Sequence, residues 1–323
     1  MAGTEIVGHR QQTESLLEDL RTGNVAHAYL FVGKRHVGKF TVARWFAKTL
    51  LLVDAKDDEA RHRTEHAVDR LLHPDLFVLD KLWIEDQQED LDELSRFTNL
   101  PQQHRAKAHA RTDTISIDDV RVLQERLHDV RAGTYRCCVI RSMERMQAEA
   151  VNALLKILEE PPPGVVFILT ADAVESLLPT LVSRSRVIHF SPLPHAELAP
   201  LLKKQTQEDV QFILRVAQGA PGTVLRLRDD SDALRKERQL YANATAFWHA
   251  PTLSERLQSL DALSDRNPEA ERMLFHLALS LRSEPADVVP DLSAALHVLL
   301  HDLETNVSRP LAIQRFALST GPL

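Results

Sequence analysis

The stretch Gly33-Lys34-Arg35-His36-Val37-Gly38-Lys39-Phe40-Thr41 has the spacing of a phosphate loop. Gly33 and Gly38, with lysine directly after the second, let several backbone N–H groups turn toward an anion. The N-terminus of the helix that follows adds partial positive charge. Lys39 stands where it can reach the β- and γ-phosphates of a nucleotide. Gly33, Gly38, Lys39 and Thr41 are therefore the candidate cofactor-binding residues. A Ser or Thr should come directly after the lysine, because its hydroxyl ligates magnesium. Phe40 stands there and has no oxygen to offer. Thr41 lies one residue along, roughly 100° around a helix, and is no simple substitute. An anion-binding loop and a strand-to-helix turn kept for packing both fit these residues, and residual nucleotide binding stays open.

Nucleotide hydrolysis also needs an acidic pair at the end of a buried strand. One carboxylate supports the metal and the next polarises water. The strand here is Cys137-Cys138-Val139-Ile140, and Arg141-Ser142 follow it. Glu144 comes later, where a turn or helix begins. It reads as a surface or helix-start acid, with service as a substitute base the alternative. Losing the metal hydroxyl and both acids should remove most electrostatic catalysis. No intrinsic ATPase activity is expected. The alternative is an active ATPase with an atypical metal site built from Thr41 and Glu144.

These residues need particular elements to hold them. His27 to Val32 is a short apolar run that ends at Gly33 and reads as a buried strand. Gly38 to Leu52 has helical spacing of Val42, Phe46 and Leu50. Leu76 to Leu79, Cys137 to Ile140, Val165 to Leu169 and Val187 to Phe190 are further strands. Ile117 to Val130 is an amphipathic helix opening on Ser116, a natural N-cap. Gln147 to Glu160 is helical and stops at Pro161-Pro162-Pro163. Strands alternating with helices imply βαβ units and a mostly parallel sheet. Beyond Ser191-Pro192-Leu193-Pro194 only helical periodicity remains. Residues 81–112 interrupt the pattern with Glu85, Asp86, Glu89, Asp90, Asp92 and Glu93, then Arg105, Lys107 and Arg111. They read as an inserted surface segment, either a solvated loop or a partner-docking arm.

The bulk numbers fit an ordinary globular chain. It has 323 residues, 44% of them hydrophobic and 26% charged, enough apolar material for packed cores. A net charge of −7 argues against a stand-alone, generally basic DNA-binding domain. Cys137 and Cys138 are adjacent, so neither a disulfide nor a CxxC zinc pair is expected. Met1 to His9 has no apolar stretch like a signal peptide, and no window approaches the ~20 apolar residues of a membrane span. A cytoplasmic protein without membrane contact is the expectation.

The run Asn152-Ala153-Leu154-Leu155-Lys156-Ile157-Leu158-Glu159-Glu160-Pro161-Pro162 strongly resembles bacterial clamp-loader subunits of the AAA+ family. So do Ala26-His27-Ala28-Tyr29-Leu30-Phe31, His73-Pro74-Asp75-Leu76 and Leu178-Pro179-Thr180-Leu181-Val182-Ser183-Arg184-Ser185. Their order and spacing match over about 1–190. Within the family the chain is similar to the delta-prime branch of DNA polymerase III subunits, where nucleotide sites are often degraded. The resemblance implies an α/β AAA+ P-loop domain with a parallel sheet over 1–192. It implies a small helical lid over 193–230 and an all-α C-terminal collar that oligomerises over 231–323.

It also implies a role for Arg184. Taken alone, Arg184 and Arg186 read as surface cations. The family's Ser-Arg-Cys motif, here Ser183-Arg184-Ser185, instead makes Arg184 an arginine finger reaching the ATP of a neighbouring gamma/tau subunit. Ser185 departs from Cys, but the arginine is kept. The lid stretch that would carry an arginine near bound nucleotide reads Gly219-Ala220-Pro221-Gly222, with none before Arg226. The family's cluster of four cysteines is absent. His62, His66 and His73 lie in that region, but without cysteine they make a poor zinc site, and zinc is not expected. The implied partners are gamma/tau and delta subunits, with the β sliding clamp and primed DNA reached through the complex. No cofactor is required by this chain itself; ATP would be bound at neighbouring subunits.

Overall fold

The computed structural model describes residues 6–79, 114–305 and 307–320. The acidic insertion expected over 81–112 lies outside them. The chain divides into two compact units: Met1–Lys204 with Ala217–Val224, and Gln205–Val216 with Leu225–Leu323.

The first unit is built on a five-stranded sheet in the order β2-β3-β4-β1-β5. Its strands are β1 (Ala28–Val32), β2 (Leu76–Leu79), β3 (Arg136–Ile140), β4 (Val165–Ala171) and β5 (Arg186–His189). Every pairing is parallel: Leu30 lies opposite Leu169 on one side and Val187 on the other, and Val139 faces Val78 and Ile168. A parallel sheet needs cover on both faces, which is why its strands are continuous apolar runs. Side chains still alternate. Ala28, Leu30 and Val32 of β1 enter one core with Phe167, Leu169 and Ile140. Tyr29 and Phe31 enter the opposite core with Ile168, Val166 and Phe46. The helix α2 (Lys39–Leu51) covers that second face through Val42, Ala43, Phe46 and Leu50. The first face is covered by α4 (Ile117–Leu127) and α5 (Ala148–Glu159). The remaining helices here include α1 (Arg10–Arg21), α3 (Asp58–Asp69) and the short α6 (Pro179–Ser183).

The elements agree with the sequence pattern and differ at their ends. β4 runs to Ala171, two residues beyond the apolar run read above, because Thr170 and Ala171 still pair with Phe31 and Val32. Helix α4 is capped by Ser116 as expected, with Asp119 Oδ2 accepting from the Ser116 amide at 2.8 Å. It ends at Leu127 rather than Val130. The cause is Arg136, whose guanidinium draws in the carbonyls of Arg126, Leu127, Asp129 and Val130 at 2.9–3.2 Å. Arg136 also holds Asp75 Oδ1 at 2.8 Å, and neither side chain is more than 1% exposed. Asp75 of the His73-Pro74-Asp75-Leu76 run thereby ties β2, β3 and the end of α4 together.

The second unit is helical. It packs α7 (Ser231–His249), α8 (Leu253–Ser259), α9 (Pro268–Ser280), α10 (Val289–Glu304) and α11 (Arg309–Ser319) around Phe247, Trp248, Met273, Leu277 and Phe316. Phe247 and Phe316 stack with centroids 4.9 Å apart. Buried Trp248 donates to Ser280 Oγ at 2.8 Å. Among the described residues no helix is long and apolar enough to cross a membrane.

Candidate functional site

Because all five strands are parallel, their C-terminal ends open on one edge of the sheet. Ligands of open α/β sheets bind at such an edge. Three strand ends deliver the residues that matter: Gly33 after β1, Arg141 after β3 and Asp172 after β4. Gly33 donates to Ala171 O at 3.2 Å, and a Cβ there would lie 2.2 Å from Phe190 O. Only glycine fits that approach. Gly38 caps α2 at φ 111°, a conformation that also favours glycine. The loop between them is held by its surroundings. His36 O accepts from the Gly222 amide at 2.9 Å. Val37 O accepts from His9 Nε2 at 2.7 Å, and burial lowers the pKa of that ring. The Gly219-Ala220-Pro221-Gly222 stretch thus meets the phosphate loop through backbone.

Lys39 is where the motif predicts, at the first position of α2, but its amine faces inward. Nζ donates to Gly33 O, to Lys34 O at 3.0 Å and to Asp172 Oδ1 at 3.2 Å. Burial lowers its pKa, while Asp172 and Glu144 oppose that shift and Arg141 reinforces it. Asp172 also accepts from Arg35 Nε at 2.9 Å. Sequence reasoning missed Asp172. Its signal was available, since an acid directly follows the apolar run of β4.

Phe40 and Arg141 occupy the positions where a phosphate-loop hydrolase keeps its metal ligands. Here they contact each other. The Arg141 guanidinium lies 4.2 Å from the Phe40 ring centroid, and Arg44 lies 5.9 Å from it. A hydroxyl and a carboxylate are replaced by a hydrocarbon ring under a cation. This donor set does not suit magnesium, which takes oxygen ligands. Ser142 follows at φ 57° and donates its amide to Thr170 Oγ1 at 3.1 Å. Glu144 sits in the turn Met143–Arg145, and its Oε2 is buried without a hydrogen-bond partner. Thr41 sits in the first turn of α2, partly exposed. Among the described residues no group of three or more His, Cys, Asp or Glu is arranged to hold a metal ion. His73 Nδ1 instead accepts the Asp75 amide at 3.1 Å.

Arg184 lies just past α6 with its side chain 36% exposed. Its guanidinium bonds Glu159 Oε1 at 2.9 Å and Thr180 O at 3.2 Å. Glu159 closes α5, so the Asn152–Pro162 run and the Ser183-Arg184-Ser185 motif meet in this ion pair. Arg186, two residues on, is taken by Asp19 and by Ser15 Oγ at 2.9 Å. It anchors β5 to α1. In the helical unit, Arg226 donates to Glu237 Oε1 at 2.9 Å.

Residues 8–194 match the family described as "DNA polymerase III, delta subunit". The tau/gamma subunit of DNA polymerase III from Haemophilus influenzae is 27% identical over 251 residues, 75% of this chain and 32% of that protein. The delta' subunit from Escherichia coli K12 is 34% identical over 119 residues, 36% of each chain. This chain spans about a third to a half of the length of the curated relatives it matches. Among solved structures, a DNA polymerase III gamma subunit-related protein from Thermotoga maritima superimposes with a TM-score of 0.55. It covers 96% of this chain and 98% of its own at 16% identity, which is likeness of fold. The expected α/β AAA+ domain followed by helical structure is therefore present, and the chain belongs to the clamp-loader AAA+ family of DNA polymerase III subunits.

Proposed function

We propose that this chain is a non-catalytic, delta-prime-like subunit of a clamp loader. In this reading it joins gamma/tau and delta subunits in a complex that uses ATP to load the β sliding clamp onto primed DNA. It contributes Arg184 in trans to the ATP site of a neighbouring gamma/tau subunit. The observation that carries the non-catalytic reading is the Phe40–Arg141 contact, with the guanidinium 4.2 Å from the ring centroid. A magnesium ion there would meet a positive charge where it needs a carboxylate. Arg184 supports the trans reading because it is partly exposed and lies on an exposed ion pair, worth little to stability and so cheaply exchanged for phosphate.

Reconstitution tests both halves. The purified chain should show no ATP turnover. In a complex with gamma/tau and delta, Arg184→Ala should leave assembly intact and slow DNA-stimulated hydrolysis. A finger supplied in trans can be worth roughly 10³–10⁵ in rate at its site. The loss is confined to the site it serves, so single-turnover kinetics should reveal a slow fraction. Unchanged hydrolysis would remove Arg184 from the mechanism.

A second reading draws on one observation. The orphaned Glu144 Oε2 lies where its charge acts on Lys39. In that reading Thr41 and Glu144 form an atypical metal site in an active ATPase. It requires turnover by the purified chain that is abolished by Glu144→Gln.

A further inference from the structure

An ammonium group has three donors. Lys39 spends all of them inside the chain, on Gly33 O, Lys34 O and Asp172 Oδ1. Its side chain is only 9% exposed. Asp172 is bound from two sides, by Lys39 on Oδ1 and by Arg35 on Oδ2. Burial alone would raise the pKa of Asp172, but the hydrogen bonds and charges of Arg35 and Lys39 outweigh it and hold the group ionised at neutral pH. The strand–loop–helix frame that cradles anions is intact around this pair. β1 ends at Gly33, Gly38 keeps its positive φ, and α2 begins at Lys39. The anion that the lysine meets is a carboxylate of its own chain.

We propose that Asp172 determines what this loop accepts: as an internal counter-anion on Lys39 it excludes the phosphate groups of nucleotides and pyrophosphate. A phosphate entering the loop must displace a carboxylate that two cations hold in place. It would also sit beside that carboxylate's negative charge. Removing the charge should convert the closed loop into a phosphate site of ordinary chemistry, with the Lys39 and Arg35 donors that now hold Asp172 turned to the phosphate. The inference deepens the non-catalytic reading of the loop and rests on it. It concerns binding rather than hydrolysis, since Phe40 and Arg141 stay in place.

The test uses the intact chain and two probes without added metal, inorganic pyrophosphate and ADP, followed by titration calorimetry and by thermal shift. The native chain should bind neither at low millimolar concentration. Asp172→Asn keeps the shape and loses the charge; Asp172→Ala removes the group. Both should bind pyrophosphate at least about tenfold more tightly than the native chain. The gain should vanish in Asp172→Ala combined with Lys39→Ala. Asp172 is a partly exposed residue after the strand, and native far- and near-UV circular dichroism of either variant establishes its fold. Three results would overturn the proposal. They are native binding equal to that of the variants, folded variants that bind neither probe, and a gain that survives loss of Lys39. ATP turnover by the native chain is a separate assay. Its appearance would sink the non-catalytic reading, whereas failure of the binding gain alone would leave that reading standing and remove Asp172 as the group that keeps phosphate out.

Discussion

Replacing Arg136 by alanine should strongly destabilise the N-terminal unit, although the residue opens β3 at the end away from Arg141 and touches none of the proposed chemistry. The side chain is 1% exposed and its partner Asp75 is fully buried. The guanidinium bonds Asp75 Oδ1 through Nε at 3.0 Å and Nη2 at 2.8 Å. It also satisfies the carbonyls of Arg126, Leu127, Asp129 and Val130. Among the described residues, alanine leaves Asp75 the amides of Ala132 and Gly133, at 2.8 and 3.2 Å. Removing one partner of a buried ion pair costs about 3–5 kcal/mol, because a charge stays buried without its counter-charge. For units of this size each kcal/mol moves the midpoint by roughly 2–4 °C, so a loss of about 6–20 °C is expected. Asp75→Leu with Arg136→Met should lose less than the two single changes added together, since neither charge is then stranded. Amide hydrogen exchange in urea, read on peptides covering β2 and β3, localises the effect to this unit. A loss below about 1 kcal/mol for Arg136→Ala, or strict additivity in the double variant, would refute the reasoning.

Three further expectations concern other parts of the chain. Glu237 is buried, which alone would raise its pKa, but hydrogen bonds from His276, Arg272 and Arg226 bring it to about 2 from 4.5. A depressed pKa means stability that is present above pH 4.5 and lost as pH falls toward 2, so the helical unit should weaken across that window. Glu237→Gln should flatten the dependence of its urea midpoint on pH; parallel curves for the two proteins would contradict this. Gly33→Ala should destabilise the sheet by about 1–3 kcal/mol, because the new methyl would lie 2.2 Å from Phe190 O and backbone must move. A thermal midpoint unchanged within 1 °C would contradict it. Cys137 and Cys138 are fully buried and burial pushes both thiols up. Neither should react with Ellman's reagent in the native chain and both should in urea, so rapid labelling without denaturant would show that β3 is open.

The sheet was legible because buried parallel strands leave continuous apolar runs. Ala28–Val32, Leu76–Leu79 and Arg136–Ile140 could be placed to within a residue from composition alone. The end of α4 was not, because Arg136 sets it from nine residues away and a periodic pattern carries no trace of such a contact. Asp75 was legible only as part of a resemblance; its physical reason is the ion pair that the fold brings together. At the candidate site, the missing hydroxyl and missing acids could be read as absences. That the residues in their places, Phe40 and Arg141, touch could not, since the contact joins strand and helix a hundred residues apart in sequence. Asp172 left a trace as an acid directly after β4, but its role did not show. It gains meaning only when β4 lies beside β1 and turns it toward Lys39.

The departures at the three strand ends make physical sense together better than singly. A carboxylate placed at Arg141 would face the negative face of the Phe40 ring with no metal to offset it. A guanidinium there gains from that ring instead, by about 0.5–2 kcal/mol depending on exposure. The exchange has a consequence for Lys39, since Arg141 is a second cation whose field lowers the lysine's pKa. In a working nucleotide site, phosphate supplies the compensating negative charge. In this chain Asp172 does, reinforced by the field of Glu144 and steadied by Arg35. Restoring a single ligand, as in Phe40→Ser, would therefore leave a cation at the metal position and a carboxylate on the lysine. The loop's chemistry has been replaced as a set. Arg184, proposed to act on a neighbour's nucleotide, stands outside that set, held by Glu159 in a pair exposed enough to be exchanged.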